Sequence, residues 1–126
     1  FIRKKSLNLP KGTIPSKVII TEIMGYLVFT AGNTIVSYTI NGRKISERVF
    51  DTMIVDVCTF HSLHFTDIIV IVTESKRIEF LSAHSLELIK VFCKPKEKIT
   101  KIEFNNEMRV LISAAESSLV YVFPVD

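Results

Sequence analysis

The sequence predicts an all-β fold, a fragment of a β-propeller made of antiparallel four-stranded blades. Three observations predict it. First, Val55–Phe92 holds four short apolar runs separated by polar turns: VDVCTF, DIIVIV, RIEFLS and LELIKVF. Each run has strand length and is rich in β-branched or aromatic residues, and none is long enough for a self-supporting helix. Four such runs in about 40 residues have the size of one blade. Second, the plan recurs on both sides, as KVIITEI, YLVFTAG, TIVSYTI and ISERVF upstream and as ITKIEFN, RVLISAAE and SLVYVFP downstream. Third, the third runs align without gaps. Ile35-Val-Ser-Tyr38, Ile78-Glu-Phe-Leu81 and Leu119-Val-Tyr-Val122 begin at 35, 78 and 119, which is 43 and then 41 positions apart.

Taken in order, residues 1–10 (FIRKKSLNLP) read as the outer strand of a preceding blade, ended by proline. Arg3, Lys4 and Lys5 suit such an edge, because charge there discourages pairing with other chains. Residues 17–50 form one blade and 51–95 a second, while 96–126 supply three strands of a final one. Asn41-Gly42 is the strongest turn signal, expected as a two-residue type I′ hairpin because both residues tolerate positive φ. The second runs are apolar on both faces, as central strands should be, and fourth runs such as KISERVF are more polar edges. In RIEFLS, Ile78 and Phe80 share one face, and Glu79 and Leu81 the other. The 61–66 loop is longer than its counterpart at Met24-Gly25, and longer loops are where function tends to sit.

Composition narrows the classes of function. The 126 residues suffice for a domain with a real core, and 48% hydrophobic content excludes disorder. A chain that begins at Phe is expected to be a piece of a longer protein. The longest unbroken apolar run is Ile68–Val72, too short for a transmembrane helix. Two cysteines and no dense cysteine framework point to a reducing, intracellular location. The net charge of +3 is uneven. The first 17 residues carry five bases and no acid, so the remainder carries 11 bases against 13 acids. That near-neutral body argues against nucleic acid as a partner.

No catalytic constellation is present. Cys58-x-x-His61-x-x-His64, with Asp67 behind, has metal-ligand residue types but irregular spacing, and reads as a buried cysteine followed by two loop histidines. No G-x-S-x-G occurs, four scattered glycines build no phosphate loop, and the carboxylates stand singly. The three tyrosines fall inside strands, where packing accounts for them. No enzyme, cofactor or metal is expected.

The repeat resembles that of WD-repeat propellers, with TIVSYTINGRKISERVF and RIEFLSAHSLELIKVF standing where a third strand, hairpin and fourth strand would be. More narrowly it resembles the C-terminal propeller of BEACH-domain (beige/neurobeachin-like) proteins. Asn33–Phe50 followed by Ile54–Thr59 (IVDVCT) carries that likeness, and HSLEL at 84–88 matches its usual turn. The chain departs from the WD pattern in having no Trp, hence no Trp-Asp dipeptide, and no Gly-His opening a blade. Its blades would be held by apolar packing rather than by the polar network of WD blades.

The resemblance implies a cytoplasmic, non-catalytic scaffold in vesicle and lysosome-related membrane traffic, peripheral to intracellular membranes. Its partners would be proteins, the remaining blades and an upstream BEACH domain, with membrane association only indirect. The competing expectation is an unrelated β-propeller or β-sandwich acting as a ligand-binding or sensory domain. Candidate partner contacts are His61 and His64 in the long loop, and Asn33, Lys76 and Ser117 in other turns. Two full blades and two partial ones cannot close a ring, so an apolar face is expected to lie open at each end.

Overall fold

The computed structural model describes Leu9 and residues 11–126, so the outer strand expected over 1–10, with Arg3, Lys4 and Lys5, lies outside the described residues. Eleven strands and no helix make up the described chain. Sheet 1 contains β1 (Lys17–Ile20), β2 (Leu27–Ala31), β3 (Thr34–Tyr38) and β4 (Lys44–Val49), antiparallel and in chain order. Sheet 2 contains β5 (Ile54–His61), β6 (Asp67–Thr73), β7 (Arg77–Ser82) and β8 (Leu88–Cys93), again in order. Sheet 3 has β9 (Ile99–Asn105), β10 (Val110–Ala115) and β11 (Val120–Pro124).

Burial follows the pattern of the runs. β6, apolar on both faces, is buried at every position because sheets lie against both sides of it. Even-numbered Val70 and Val72, with Ile78 and Phe80 across the ladder, pack on Ile102, Leu111 and Ala115 of sheet 3. Odd-numbered Ile69 and Ile71, with Leu81, pack on Val28 and Ile35 of sheet 1 and on Phe50, which follows β4. Ile69, Ile71, Leu81 and Leu111 are fully buried. Each contributes about 1.5–3 kcal/mol, so apolar packing is the main force between sheets.

Two buried carboxylates add direction to that packing. Asp67, at the start of β6, accepts the backbone N–H groups of Ile23 at 3.0 Å and Met24 at 2.8 Å, gripping the β1–β2 turn of the neighbouring sheet. Asp56 on β5 ties all three sheets. Its Oδ1 accepts Lys17 Nζ of β1 at 2.6 Å, and its Oδ2 accepts the Ile102 N–H of β9 at 2.8 Å.

Two expectations need correction. Asn41-Gly42 does not form a type I′ turn. Gly42 N–H bonds the Thr39 carbonyl and Thr39 N–H the Arg43 carbonyl, with positive φ at Gly42 alone of the pair. This is a three-residue loop, a type I turn closed by a left-handed residue, and it leaves a bulge between Ser37 and Tyr38. The gapless alignment of the third runs also slips by one in the last sheet. Ile35 pairs with Thr30, Ile78 with Val72, and Val120, not Leu119, with Ala114. The equivalent residues are therefore 35, 78 and 120, and a one-residue slip exchanges the faces of the strand. Hence Tyr121 and Phe123 pack toward sheet 2, while Val120 and Val122 are exposed.

Both outermost sheet faces expose apolar side chains, as the sequence led us to expect. Sheet 3 exposes Val120 and Val122 on the side away from sheet 2. On the outer side of sheet 1, Val18, Ile20 and Val49 are exposed, while Phe29, Val36 and Tyr38 on the same side are buried, with Leu9 and Leu27 packed against them.

Candidate functional site

Antiparallel order sends the turns β1–β2, β5–β6 and β9–β10 to one end of the three sheets, here called the top. The turns β2–β3, β6–β7 and β10–β11 emerge at the bottom, with the connectors between sheets. The five contact residues expected from the sequence therefore divide. His61 and His64 lie at the top, and Asn33, Lys76 and Ser117 at the bottom.

The top turns are locked to one another. Glu22 of the β1–β2 turn stands 3.0 Å from His61 Nδ1 through Oε2, and accepts Asn106 Nδ2 of the β9–β10 turn at 2.9 Å through Oε1. Three successive sheets thus share one carboxylate. Arg109 adds a second bridge, donating from Nη1 to the His61 carbonyl at 2.9 Å and from Nε to Asp126 at 2.6 Å. Its guanidinium lies over the rings of Phe60 and Phe104. The hydrogen bond to Asp126 raises the Arg109 pKa above its ordinary value and lowers that of Asp126.

Above this lattice each top turn presents exposed apolar side chains: Met24 (63% exposed), Leu63 and Phe65 (67% and 68%) and Met108 (74%). Phe65 is the informative one. Ser62 and Thr66 close its loop, and its φ of 60° lies in the left-handed region. That conformation costs a residue with a Cβ about 1–2 kcal/mol. Lys76, Arg109 and Ser118 take the same region at their turns, with φ of 62°, 56° and 70°, and Leu86, with φ of 60°, is fully buried, so Phe65 differs in carrying an exposed aromatic ring. Phe65 has only a parallel stack on the His61 ring, at 5.9 Å between centroids. His64 is exposed, and its N–H bonds Ser62 Oγ at 3.2 Å, which shapes the same loop.

The bottom residues are used differently. Asn33 donates to the Phe50 carbonyl at 3.0 Å and accepts the Phe50 N–H, pinning the end of β4. Lys76 and Ser117 share a shallow cleft with Glu97, Lys98 and Glu116. Hydrogen bonds from Ser117 and Tyr121 hold the Glu97 carboxyl below the usual carboxylate range.

Nothing assembles around Cys58, His61 and His64. Cys58 packs into the sheet 2–sheet 3 core, and burial pushes its thiol up to about 12. The alternation of β5 turns the His61 side chain away from it. Among the described residues no group of three or more His, Cys, Asp or Glu side chains is placed to hold a metal ion.

The sequence reading missed Glu22, Met24, Asn106, Met108 and Arg109. A signal was present, because large apolar residues interrupt turns that are otherwise polar at Met24, Leu63, Phe65 and Met108.

No family model matches the chain, and no curated protein matches it in sequence. Solved structures match in shape. BBS1N, crystallised in complex with ARL6DN, superposes with a TM-score of 0.77 at 13% identity, over 93% of this chain and 39% of that one. The fold is that of a β-propeller segment. The computationally designed Ika4 protein gives a TM-score of 0.67 at 15% identity, over 89% of this chain and 66% of that one. A protein of unknown function from Bacteroides caccae gives 0.53 at 12% identity, over 94% and 48%. The chain thus spans less than two thirds of each, and at these identities the likeness is one of fold alone. In propeller terms the three sheets are blades, β1, β5 and β9 are the inner strands, and the locked turns lie at the inner rim of one face.

Proposed function

We propose that this propeller segment is a non-catalytic protein-binding platform whose contact surface is the crest of Met24, Leu63, Phe65 and Met108. The observation that carries the reading is Phe65, a bulky exposed aromatic held in a strained backbone conformation with little packing in return. Exposed Lys76 and Ser118 close their turns in the same left-handed conformation with polar side chains, so what marks Phe65 is a large apolar ring placed where solvent would favour a polar one. Exposed aromatic and methionine side chains on a rigid base suit a binding hot spot, since the rings bring area and the thioethers adapt. The Glu22–His61–Asn106 and Arg109–Asp126 bonds supply that base. Protein binding also fits a neighbour of this fold, BBS1N, whose structure was determined in complex with ARL6DN.

The resemblance of 33–50 and 54–59 extends the proposal. On it, the segment belongs to the C-terminal propeller of a BEACH-type protein, cytoplasmic and peripheral to intracellular membranes. It would serve vesicle or lysosome-related traffic, with the remaining blades and a BEACH domain elsewhere in the polypeptide. The test is quantitative affinity purification of the protein with Met24→Asp, Phe65→Asp and Met108→Asp combined, beside the unsubstituted protein. Loss of a defined set of partners with unchanged circular dichroism supports the platform. An unchanged partner set would sink it.

A further inference from the structure

A cleft away from the crest lies in the seam between the outer strands of blades 1 and 2. Its walls come from the end of β4, the connector 50–53, the β6–β7 turn and β7, and both flanking blades have all four strands. The cleft holds about 220 Å³, roughly the volume of seven waters. Its buried member is Glu79 of β7, with a side chain only 7% exposed.

Two guanidiniums approach that carboxylate without closing a hydrogen bond. Arg48 Nη2 stands 3.8 Å from Oε1, and Arg77 Nε stands 3.4 Å from Oε2. Glu79 Oε1 and Arg77 Nε are both buried, and neither has a hydrogen-bond partner. Buried charged groups ordinarily find such partners, because leaving them without is costly. An acceptor and a donor therefore stand unused side by side. The groups around them are well fixed. Arg48 donates from Nη1 to the Leu86 carbonyl at 3.2 Å and lies over the Phe50 ring. The hydroxyls of Thr73 and Ser75, 2.6 Å apart, spend one proton on their mutual bond and keep one to donate.

The complementary group must accept from Arg77 and donate to Glu79. A carboxylate or a sulfate only accepts, and an ammonium only donates. Asp51 also lines the cleft, so two carboxylates balance two guanidiniums and net charge selects nothing. A tetrahedral oxyanion that keeps a proton meets both needs. Its bare oxygens accept from the guanidiniums and the hydroxyl pair, and its O–H donates to Glu79. Water also does both, and is the molecule that such an oxyanion would displace.

We propose that this cleft binds hydrogen phosphate, either free or as the protonated end of a phosphate monoester. Arg48 and Arg77 hold its oxygens, and Glu79 selects it over sulfate by accepting from the proton that sulfate lacks. The site is independent of the crest, so either can fail without the other.

The probe is inorganic phosphate, titrated at constant ionic strength into isotope-labelled protein at about pH 7.5 and followed by heteronuclear NMR, with sulfate as the control. Saturable shifts at the backbone signals of Ser75, Arg77 and Glu79 are expected. Sulfate should bind about tenfold more weakly or worse, the worth of one hydrogen bond to a charged group. Phenyl phosphate, whose last proton leaves near pH 6, distinguishes the two sources. It should bind at about pH 5.5 and fall away by about pH 7.5, and failure at both assigns the cleft to free phosphate alone. Glu79→Gln should erase the preference, since an amide can donate to either anion, with circular dichroism confirming the fold. The comparison in the unsubstituted protein decides even if that variant does not fold. The proposal is overturned if neither anion binds, or if sulfate binds as well as phosphate, which would mean an adventitious ion only. It is also overturned if a folded Glu79→Gln protein keeps the preference.

Discussion

Replacing Asp56 by alanine tests whether a buried carboxylate, rather than packing alone, sets how the three blades meet. The side chain is 6% exposed and serves Lys17 Nζ, Val57 N–H and Ile102 N–H. Val57 and Ile102 are themselves buried, so their N–H groups cannot simply exchange the carboxylate for water. A lost hydrogen bond to a charged group costs about 1.5–3 kcal/mol when the other partner stays buried. Lys17 is 40% exposed and rehydrates, so its share is about 0–1 kcal/mol. The expected loss is about 3–5 kcal/mol, a large part of the 5–15 kcal/mol typical of a whole domain. Asp56→Asn should recover little, because its amide NH2 must face one of the donors. Lys17→Met should cost about 1 kcal/mol or less. Urea unfolding followed by circular dichroism measures all three. If Lys17→Met matched Asp56→Ala, the ion pair and not the backbone donors would be the joint, and the reasoning would be refuted.

The remaining predictions are shorter. Phe65→Gly should raise stability by about 1 kcal/mol through relief of its left-handed strain while abolishing partner binding, a separation readable by parallel melting and binding assays. Gly42→Ala should cost about 1–2 kcal/mol in urea unfolding, because φ at Gly42 is 94°. Cys58, with its thiol raised from 9.0 to about 12, should resist alkylation at pH 8 in the native protein and react freely in urea. The sign of the linked stability follows. The native state holds this proton more tightly than the unfolded state, so the contribution is complete below pH 9 and is lost as pH rises from 9 to 12. A Cys58→Ala protein should lose less stability across that window.

Local chemistry made most of the fold legible. β6 reads as a doubly covered strand from DIIVIV alone, and Ile78 and Phe80 separate from Glu79 and Leu81 by strand alternation. The errors came where one residue of offset matters. Asn41-Gly42 suits two turn geometries, and only the bulge opposite Ser37 and Tyr38 selects one. Leu119 and Val120 are both apolar, so the sequence offers no reason to prefer either as the start of pairing. The three-residue turn at 116–118 makes that choice.

The candidate site was legible only in part. The 61–66 loop stood out by its length, but His61 matters through Glu22, 39 positions away, and Asn106 lies 84 positions from Glu22. Asn33, Lys76 and Ser117 looked equivalent to His61 and His64 as turn residues, and antiparallel order sends them to the opposite end.

By itself, then, the sequence determined the strands, turn positions, the repeat and the apolar faces of the central strands, because these depend on residues within a few positions of one another. The tertiary structure decided which turns share an end and which carboxylate joins three sheets. Those outcomes depend on blade packing, which brings together residues whose separation in the chain carries no local signal.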